Sequence, residues 1–377
     1  MTSTLNIPEI YEQNINFLLG SGASFGFLPT LQLAIKGDIT DKRYTVETLS
    51  VDLKNQDKRE LNTLLFMYYY KTCIKPALPL HIDVPFPPDR AAVIEQYTAF
   101  IGTVMDMMKA KKPYSRKCNI YTTNYDGCLE YSAENIIKEG SQNITFNDGA
   151  SGFKKRYFHT KNYTNRIVQK GIFDKHASPI PQINILHLHG SVYWKKDMEA
   201  IAVDYQNQQG VISFSEVENA LLDQFSAIVE GKNSTLDDLL NLNIDEQFDG
   251  SGFWTEYNKL PIVNPTKWKF HETVFEENYY QMLRHLSFEL ERPNTTFITF
   301  GFSFADEHIL HLVQRSLSNP SLTLYVCCFD SDEEATMNFR FKGYPNVRFL
   351  CCDESLTFEK FNSEIFSLAV ENKIADE

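Results

Sequence analysis

Four short stretches carry residues able to do chemistry, and each follows an apolar run. They are Gly20-Ser21-Gly22-Ala23-Ser24, Thr122-Thr123-Asn124-Tyr125-Asp126, His187-Leu188-His189-Gly190-Ser191 and Gly301-Phe302-Ser303-Phe304-Ala305-Asp306. The first joins two glycines to small side chains. Glycine tolerates positive φ and close backbone approach, so such a loop behind a strand can set N–H groups against a diphosphate. The second stretch supplies an amide and a carboxylate, the third a histidine and the fourth another small turn. Each also has a purely structural use. Asn124 and Asp126 can cap a helix starting near residue 127, His189 can sit beside a turn glycine, and Ser303 and Asp306 can be the N-cap and first-turn acid of a following helix. Recurrence at four strand ends favours a shared site.

These stretches need strands to carry them. Short apolar runs occur at 15–19, 117–122, 183–188, 296–300, 322–328 and 347–351. Helical patterns lie at 57–72, 90–110, 126–138, 267–291, 305–317, 332–340 and 356–370. Strands alternating with helices predict an α/β fold, here a Rossmann-like, doubly wound parallel sheet of about six strands. In such a sheet the four stretches converge outside the carboxyl ends of the strands, where ligands bind. One domain is expected over 1–377, interrupted by a helical insertion at 32–112 and an irregular, Asp- and Asn-rich insertion at 195–265.

Composition narrows the function. The 377 residues include 49 Asp and Glu against 36 Lys and Arg, a net charge of −13. Proteins that grip phosphate backbones are usually basic, so direct nucleic-acid binding is not expected. No apolar run is long enough for a membrane span, and the N-terminus lacks the pattern of a secretory signal, so the cytoplasm is the expected location. The cysteines, Cys73, Cys118, Cys128, Cys327, Cys328, Cys351 and Cys352, form no C-x-x-C pair. They read as reduced core residues, with no metal expected.

The spacing also excludes two nucleotide chemistries. No Lys follows the first loop as a P-loop requires. Gly26 comes one place late for a dehydrogenase fingerprint, and no strand is evident ahead of Asp38 and Asp41.

Taken together, G-S-G-A-S, T-N-Y-D, L-H-G-S and G-F-S-F-x-D resemble the sirtuin fold, and most of all its bacterial SIR-two-type branch of NAD-cleaving antiphage effectors. The stretch 264–284, leading into T-F-I-T-F-G-F-S-F-A-D-E-H-I, is similar to that branch as well. The resemblance covers 15–31, 117–130, 183–194 and 264–330, and leaves the insertions outside. It implies that Gly20, Ser21, Gly22, Ala23 and Ser24 hold the diphosphate and nicotinamide ribose. Thr123, Asn124 and Asp126 would lie beside the nicotinamide and its ribose, with Asn124 and Asp126 catalytic, and His189 would be the catalytic histidine. Gly301 and Ser303 would approach the other ribose and the phosphates, and Asp330 the adenosine end.

Two departures matter. The paired zinc cysteines of sirtuin deacylases are absent, and their Gly-Ile-Pro-Asp-Phe-Arg is replaced by Gly26-Phe27-Leu28-Pro29-Thr30-Leu31. Deacylation is therefore disfavoured. Breaking the nicotinamide–ribose bond passes through an oxocarbenium-like state. An amide such as Asn124 can orient a water for it, and His189 can accept a proton near neutral pH. The expectation is an NAD glycohydrolase yielding ADP-ribose and nicotinamide. The alternatives are a non-catalytic NAD or ADP-ribose sensor and a zinc-free deacylase. A homo-oligomer built through the helical insertion 32–112, whose stretch L-L-F-M-Y-Y-Y-K-T-C-I is rich in apolar residues, and a HerA-like ATPase as partner complete the expectations, the latter from the resemblance alone.

Overall fold

A computed structural model describes residues 5, 7–37, 43–78, 86–140, 143–170, 177–206, 211–244, 248–263 and 273–368. Its centre is a seven-stranded sheet. The strands, in chain order, are β1 (Asn14–Leu19), β2 (Lys117–Thr122), β3 (Thr145–Asn147), β4 (Gln182–His187), β5 (Thr295–Phe300), β6 (Leu322–Cys327) and β7 (Val347–Leu350). They stand in the order β7-β6-β5-β1-β2-β4-β3, and every neighbouring pair is parallel. The strand beyond the expected six is β3, a three-residue edge strand too short to stand out in the sequence. The expected strand 183–188 lies one residue earlier, and those ending at 328 and 351 stop one residue sooner.

Parallel strands buried on both faces read as continuous apolar runs, and β5 is buried throughout. Alternation divides the side chains. Phe17 and Leu19 of β1 face a core with α1 (Pro88–Ala110) and α2 (Cys128–Glu139), where Phe17 meets Phe100 edge-on at 4.9 Å. Leu18, Tyr121, Leu186 and Phe297 face the opposite core, with α3 (Thr273–Leu290) and α4 (Glu307–Ser316). The helix expected at 267–291 is thus seen from Thr273 onward; 264–272, like 369–370 of the last expected helix, lie outside the described residues.

The chain builds β1 to β4 on one side of β1, then returns to its other side for β5, β6 and β7. The topological switch point is therefore between β1 and β5. The register aligns Leu19 with Phe300 and with Thr122, and Thr122 with His187. Gly20, Thr123, Leu188 and Gly301 consequently leave the sheet at one level.

The insertions differ from expectation. Residues 32–112 are not one helical unit, because α1 lies on the sheet as a covering helix. The remainder starts with an antiparallel hairpin, Gln32–Lys36 with Arg43–Thr45, so a strand does precede Asp38. That strand lies outside the central sheet, and Asp38 and Asp41 lie outside the described residues. The described part of 195–265 is not irregular: it holds helices Glu216–Val229, Leu236–Leu240 and Ser251–Tyr257. Some of their polar residues serve as caps, since Ser215 with Glu218 and Thr235 with Asp238 form reciprocal capping boxes. These helices pack on Val46–Asn55 and Arg59–Tyr69 around a third core. Leu64, Phe66, Met67, Tyr69, Tyr70 and Ile74 are buried there, so the stretch expected to form an interface is covered within the chain itself. Among the described residues no helix is long and apolar enough to cross a membrane.

Candidate functional site

At the switch point the glycine loop after β1 closes on the turn after β5. Gly20 N–H donates to Phe300 O at 2.9 Å, Gly22 N–H to Gly301 O at 3.0 Å and Ala23 N–H to Gly20 O at 3.0 Å. A Cβ on Gly20 would lie 2.3 Å from Gly301 O, and one on Gly22 would lie 2.7 Å from Gly301 Cα. Gly301 itself has φ +62. The glycines therefore serve a contact of chain with chain, and those three N–H groups are already committed. Of the flanking serines, Ser21 is exposed and Ser24 is 2% exposed.

Beneath this loop lies a network whose proton directions follow from its partners. Ser24 Oγ donates to Asp126 Oδ2 at 2.8 Å. Its single proton being used, Ser24 accepts from Tyr97 OH at 2.8 Å and from Asn124 Nδ2 at 3.0 Å. Burial, and next the charge of Asp126, push the Tyr97 phenol far above its ordinary pKa, so it stays a donor. Asn124 Nδ2 also donates to Gly20 O at 3.0 Å. A backbone carbonyl only accepts, so this contact fixes the amide orientation. The Oδ1 atom of Asn124 then accepts from no described residue, while the side chain is half-buried. Asp126 is 4% exposed, and its other oxygen accepts Cys128 N–H at the start of α2. Its role here is to hold Ser24, and through it Asn124.

The two histidines around Leu188 behave differently. His189, just past β4, has Nε2 3.1 Å from Asp306 Oδ2. The carboxylate requires the proton on Nε2, which leaves Nδ1 as the basic nitrogen. In the sheet β1 and β2 lie between β4 and β5. At about 4.8 Å per strand, β4 and β5 stand roughly 14 Å apart. The His189–Asp306 bond thus arches over the carboxyl ends of β1 and β2. Gly190, at φ +79, admits Pro261 O where a Cβ would come within 2.0 Å. Val263 N–H can then donate to His189 O at 2.8 Å, and Tyr125 OH to Val263 O at 2.6 Å.

Asp306 is itself the N-cap of α4, with Oδ1 accepting from His308 N and Ile309 N at 2.9 and 3.2 Å. Ser303, expected as that cap, instead lies exposed in the preceding loop. Asp330, beyond β6, is the exposed N-cap of helix Ser331–Arg340 and accepts from Glu333 N at 2.9 Å. Thr123 is half-buried beside Asn124, its N–H donating to Leu19 O at 3.1 Å.

The structure therefore joins Gly20, Ser24, Asn124 and Asp126 directly, sets His189 on Asp306 above them, and places Ser21, Ser303 and Asp330 at the exposed rim of the same edge. Sequence reasoning missed Tyr97, Asp306 as partner of His189, and His187, which contacts Asn124 O and Glu130. The signal for His187 was available: a histidine closing a strand that reads as buried must find partners there. Five cysteines are buried and Cys351 and Cys352 half-buried, all as free thiols. Among the described residues no group of His, Cys, Asp and Glu is arranged to hold a metal. No protein-family model and no curated protein matches this chain.

Proposed function

We propose that the chain is an NAD glycohydrolase, hydrolysing NAD to ADP-ribose and nicotinamide. The observation that carries this reading is Asn124, whose NH2 is fixed by Gly20 O and Ser24 Oγ while its Oδ1 stays available at the switch point. An amide oxygen so held can accept from a water and aim one of its lone pairs. The resemblance of the four strand-end motifs to NAD-cleaving sirtuin-like effectors supports the same substrate.

In this reaction the C–N bond to nicotinamide breaks, and its electron pair neutralises the pyridinium, so the leaving group needs no proton. Water adds to the oxocarbenium carbon and loses a proton. His189 receives that proton on Nδ1, and Asp306 stabilises the resulting imidazolium. The Asn124 oxygen orients the water. Ser21 and Ser303, exposed at the same sheet edge, are the residues assigned by the resemblance to the ribose and phosphates. Service as an antiphage effector, with a HerA-like ATPase as partner, is a proposal resting on the resemblance.

The test is incubation of the purified chain with NAD alone, with products resolved by chromatography. Equal amounts of nicotinamide and ADP-ribose, formed without any peptide, support the proposal. Intact NAD with saturable binding would instead identify a sensor, and cleavage only with an acylated peptide a deacylase.

A further inference from the structure

We propose that His187 and Glu130 form a charged clamp that positions Asn124 for hydrolysis. The inference rests on the NAD glycohydrolase reading and adds two positioning residues to it. His187 closes β4, and its side chain is 4% exposed. Its Nδ1 lies 2.9 Å from Asn124 O and its Nε2 lies 2.6 Å from Glu130 Oε1. The backbone carbonyl can only accept, so Nδ1 carries a proton. The Glu130 carboxylate also accepts, so Nε2 carries one as well and the ring is an imidazolium. Glu130 Oε2 is buried with no hydrogen-bond partner, leaving His187 as the one hydrogen-bond partner of this carboxylate among the described residues. Burial alone would lower the ring pKa, but the Glu130 contact, the Asn124 carbonyl and the Asp126 charge outweigh it and hold it above the ordinary value.

Asn124 is thereby held at every polar atom but one. Its N–H donates to Thr122 Oγ1 at 3.0 Å, its carbonyl accepts from His187, and its NH2 is fixed as described. Loss of the His187 donor frees the peptide between Asn124 and Tyr125 to turn, and Oδ1 moves with it. The groups facing the ring are Glu130 from α2, Asp126 from the loop after β2, and the Trp194 indole at 6.4 Å from strand Trp194–Asp197. Behind Glu130 stand the phenols of Tyr163, Tyr193 and Tyr205, held neutral by burial, and the Asp148–Arg156 pair. Deprotonation of the ring keeps the remaining proton on Nε2 against the Glu130 carboxylate and sets the Nδ1 lone pair against Asn124 O, which breaks the clamp. In Glu130→Gln the amide can donate to Nε2, so a neutral ring still donates from Nδ1 to Asn124.

The experiment measures kcat and KM for NAD against pH in wild type, His187→Ala and Glu130→Gln, with melting curves to establish folding. A displaced Asn124 costs His187→Ala roughly 10²-fold in kcat, with KM near that of wild type. Wild-type kcat falls at alkaline pH, and Glu130→Gln loses that limb while keeping more activity than His187→Ala. An unchanged kcat in folded His187→Ala, or an identical alkaline limb in Glu130→Gln, would overturn the clamp. Nitrogen-15 spectra of labelled histidine give a readout independent of turnover: a doubly protonated His187 at pH 7 supports the clamp, and a singly protonated one overturns it. A wild type that leaves NAD intact refutes the glycohydrolase reading itself, and with it the catalytic purpose assigned to the pair.

Discussion

The middle and the carboxyl edge of the sheet use asparagine in opposite ways. In the middle, Asn16, Asn119 and Asn184 stand in register on β1, β2 and β4, all nearly inaccessible. Asn119 Nδ2 donates to Asn16 Oδ1 at 2.7 Å, Asn184 Nδ2 to Asn119 Oδ1 at 2.8 Å, and Gln182 Nε2 to Asn184 Oδ1 at 2.7 Å. The ends are engaged too, by Asn14 O and Tyr163 O. At the edge, Asn124 is held as firmly through its NH2 but keeps one oxygen for something else. An amide whose nitrogen and oxygen are both engaged by protein sets strand register. One with a leftover valence beside a small-residue loop is available for chemistry.

This contrast is broken most severely by Asn124→Ala. NAD cleavage is expected to drop by more than roughly 10²-fold, the lower end for a positioned acid–base group, while the melting temperature changes little. Asn119→Ala should do the reverse. It strands Asn16 Oδ1 inside the sheet, at about 1–3 kcal/mol for the buried group, and leaves Asn184 Nδ2 with Tyr163 O alone, yet keeps turnover per folded molecule intact. Denaturant unfolding beside a nicotinamide-release assay separates the two effects. Ser24→Ala lies between them, removing one acceptor of the Asn124 NH2 while Gly20 O at 3.0 Å and Tyr97 OH at 3.5 Å remain. About tenfold lower kcat, or some 1.4 kcal/mol, is expected from single-turnover kinetics.

The smallest effect is a pH slope that extends the contrast to histidine. His285, on α3, takes Tyr121 as its partner at 2.9 Å, and burial followed by the Lys117 charge pushes its pKa down to about 4. Below pH 6.5 the unfolded chain binds a proton that folded His285 refuses, so stability is lost as pH falls from there towards about 4. His187 has the opposite sign: its contribution is full below pH 6.5 and is lost as pH rises through its raised pKa. Each slope is at most about 1.4 kcal/mol per pH unit. Removal of the acidic slope in His285→Phe and of the alkaline slope in Glu130→Gln, measured by urea unfolding across pH, would sharpen the assignment.

Much of the edge was legible in the sequence because it is local. Apolar runs ending in Gly20-Ser21-Gly22 or Gly301-Phe302-Ser303 announce strand ends wherever they occur, and the parallel order follows from the alternation with helices. What remained hidden depends on partners far along the chain. His187 and Glu130 are 57 positions apart, and nothing near either one names the other. The amide ladder looked like polar interruptions in three separate strands until their register was known. The helices within 195–265 resemble loop in the sequence because their capping residues, Ser215 and Thr235, are of the types that also favour turns.

In the proposed reaction everything turns on the Asn124 oxygen that no described residue engages and that would orient water against NAD. The most direct test is nicotinamide release from NAD by wild type, Asn124→Ala and Asn119→Ala at equal concentrations of folded protein. Matching rates are expected for wild type and Asn119→Ala, and a loss exceeding roughly 10²-fold for Asn124→Ala. Near-equal release by all three proteins, or none from wild type, would contradict that role.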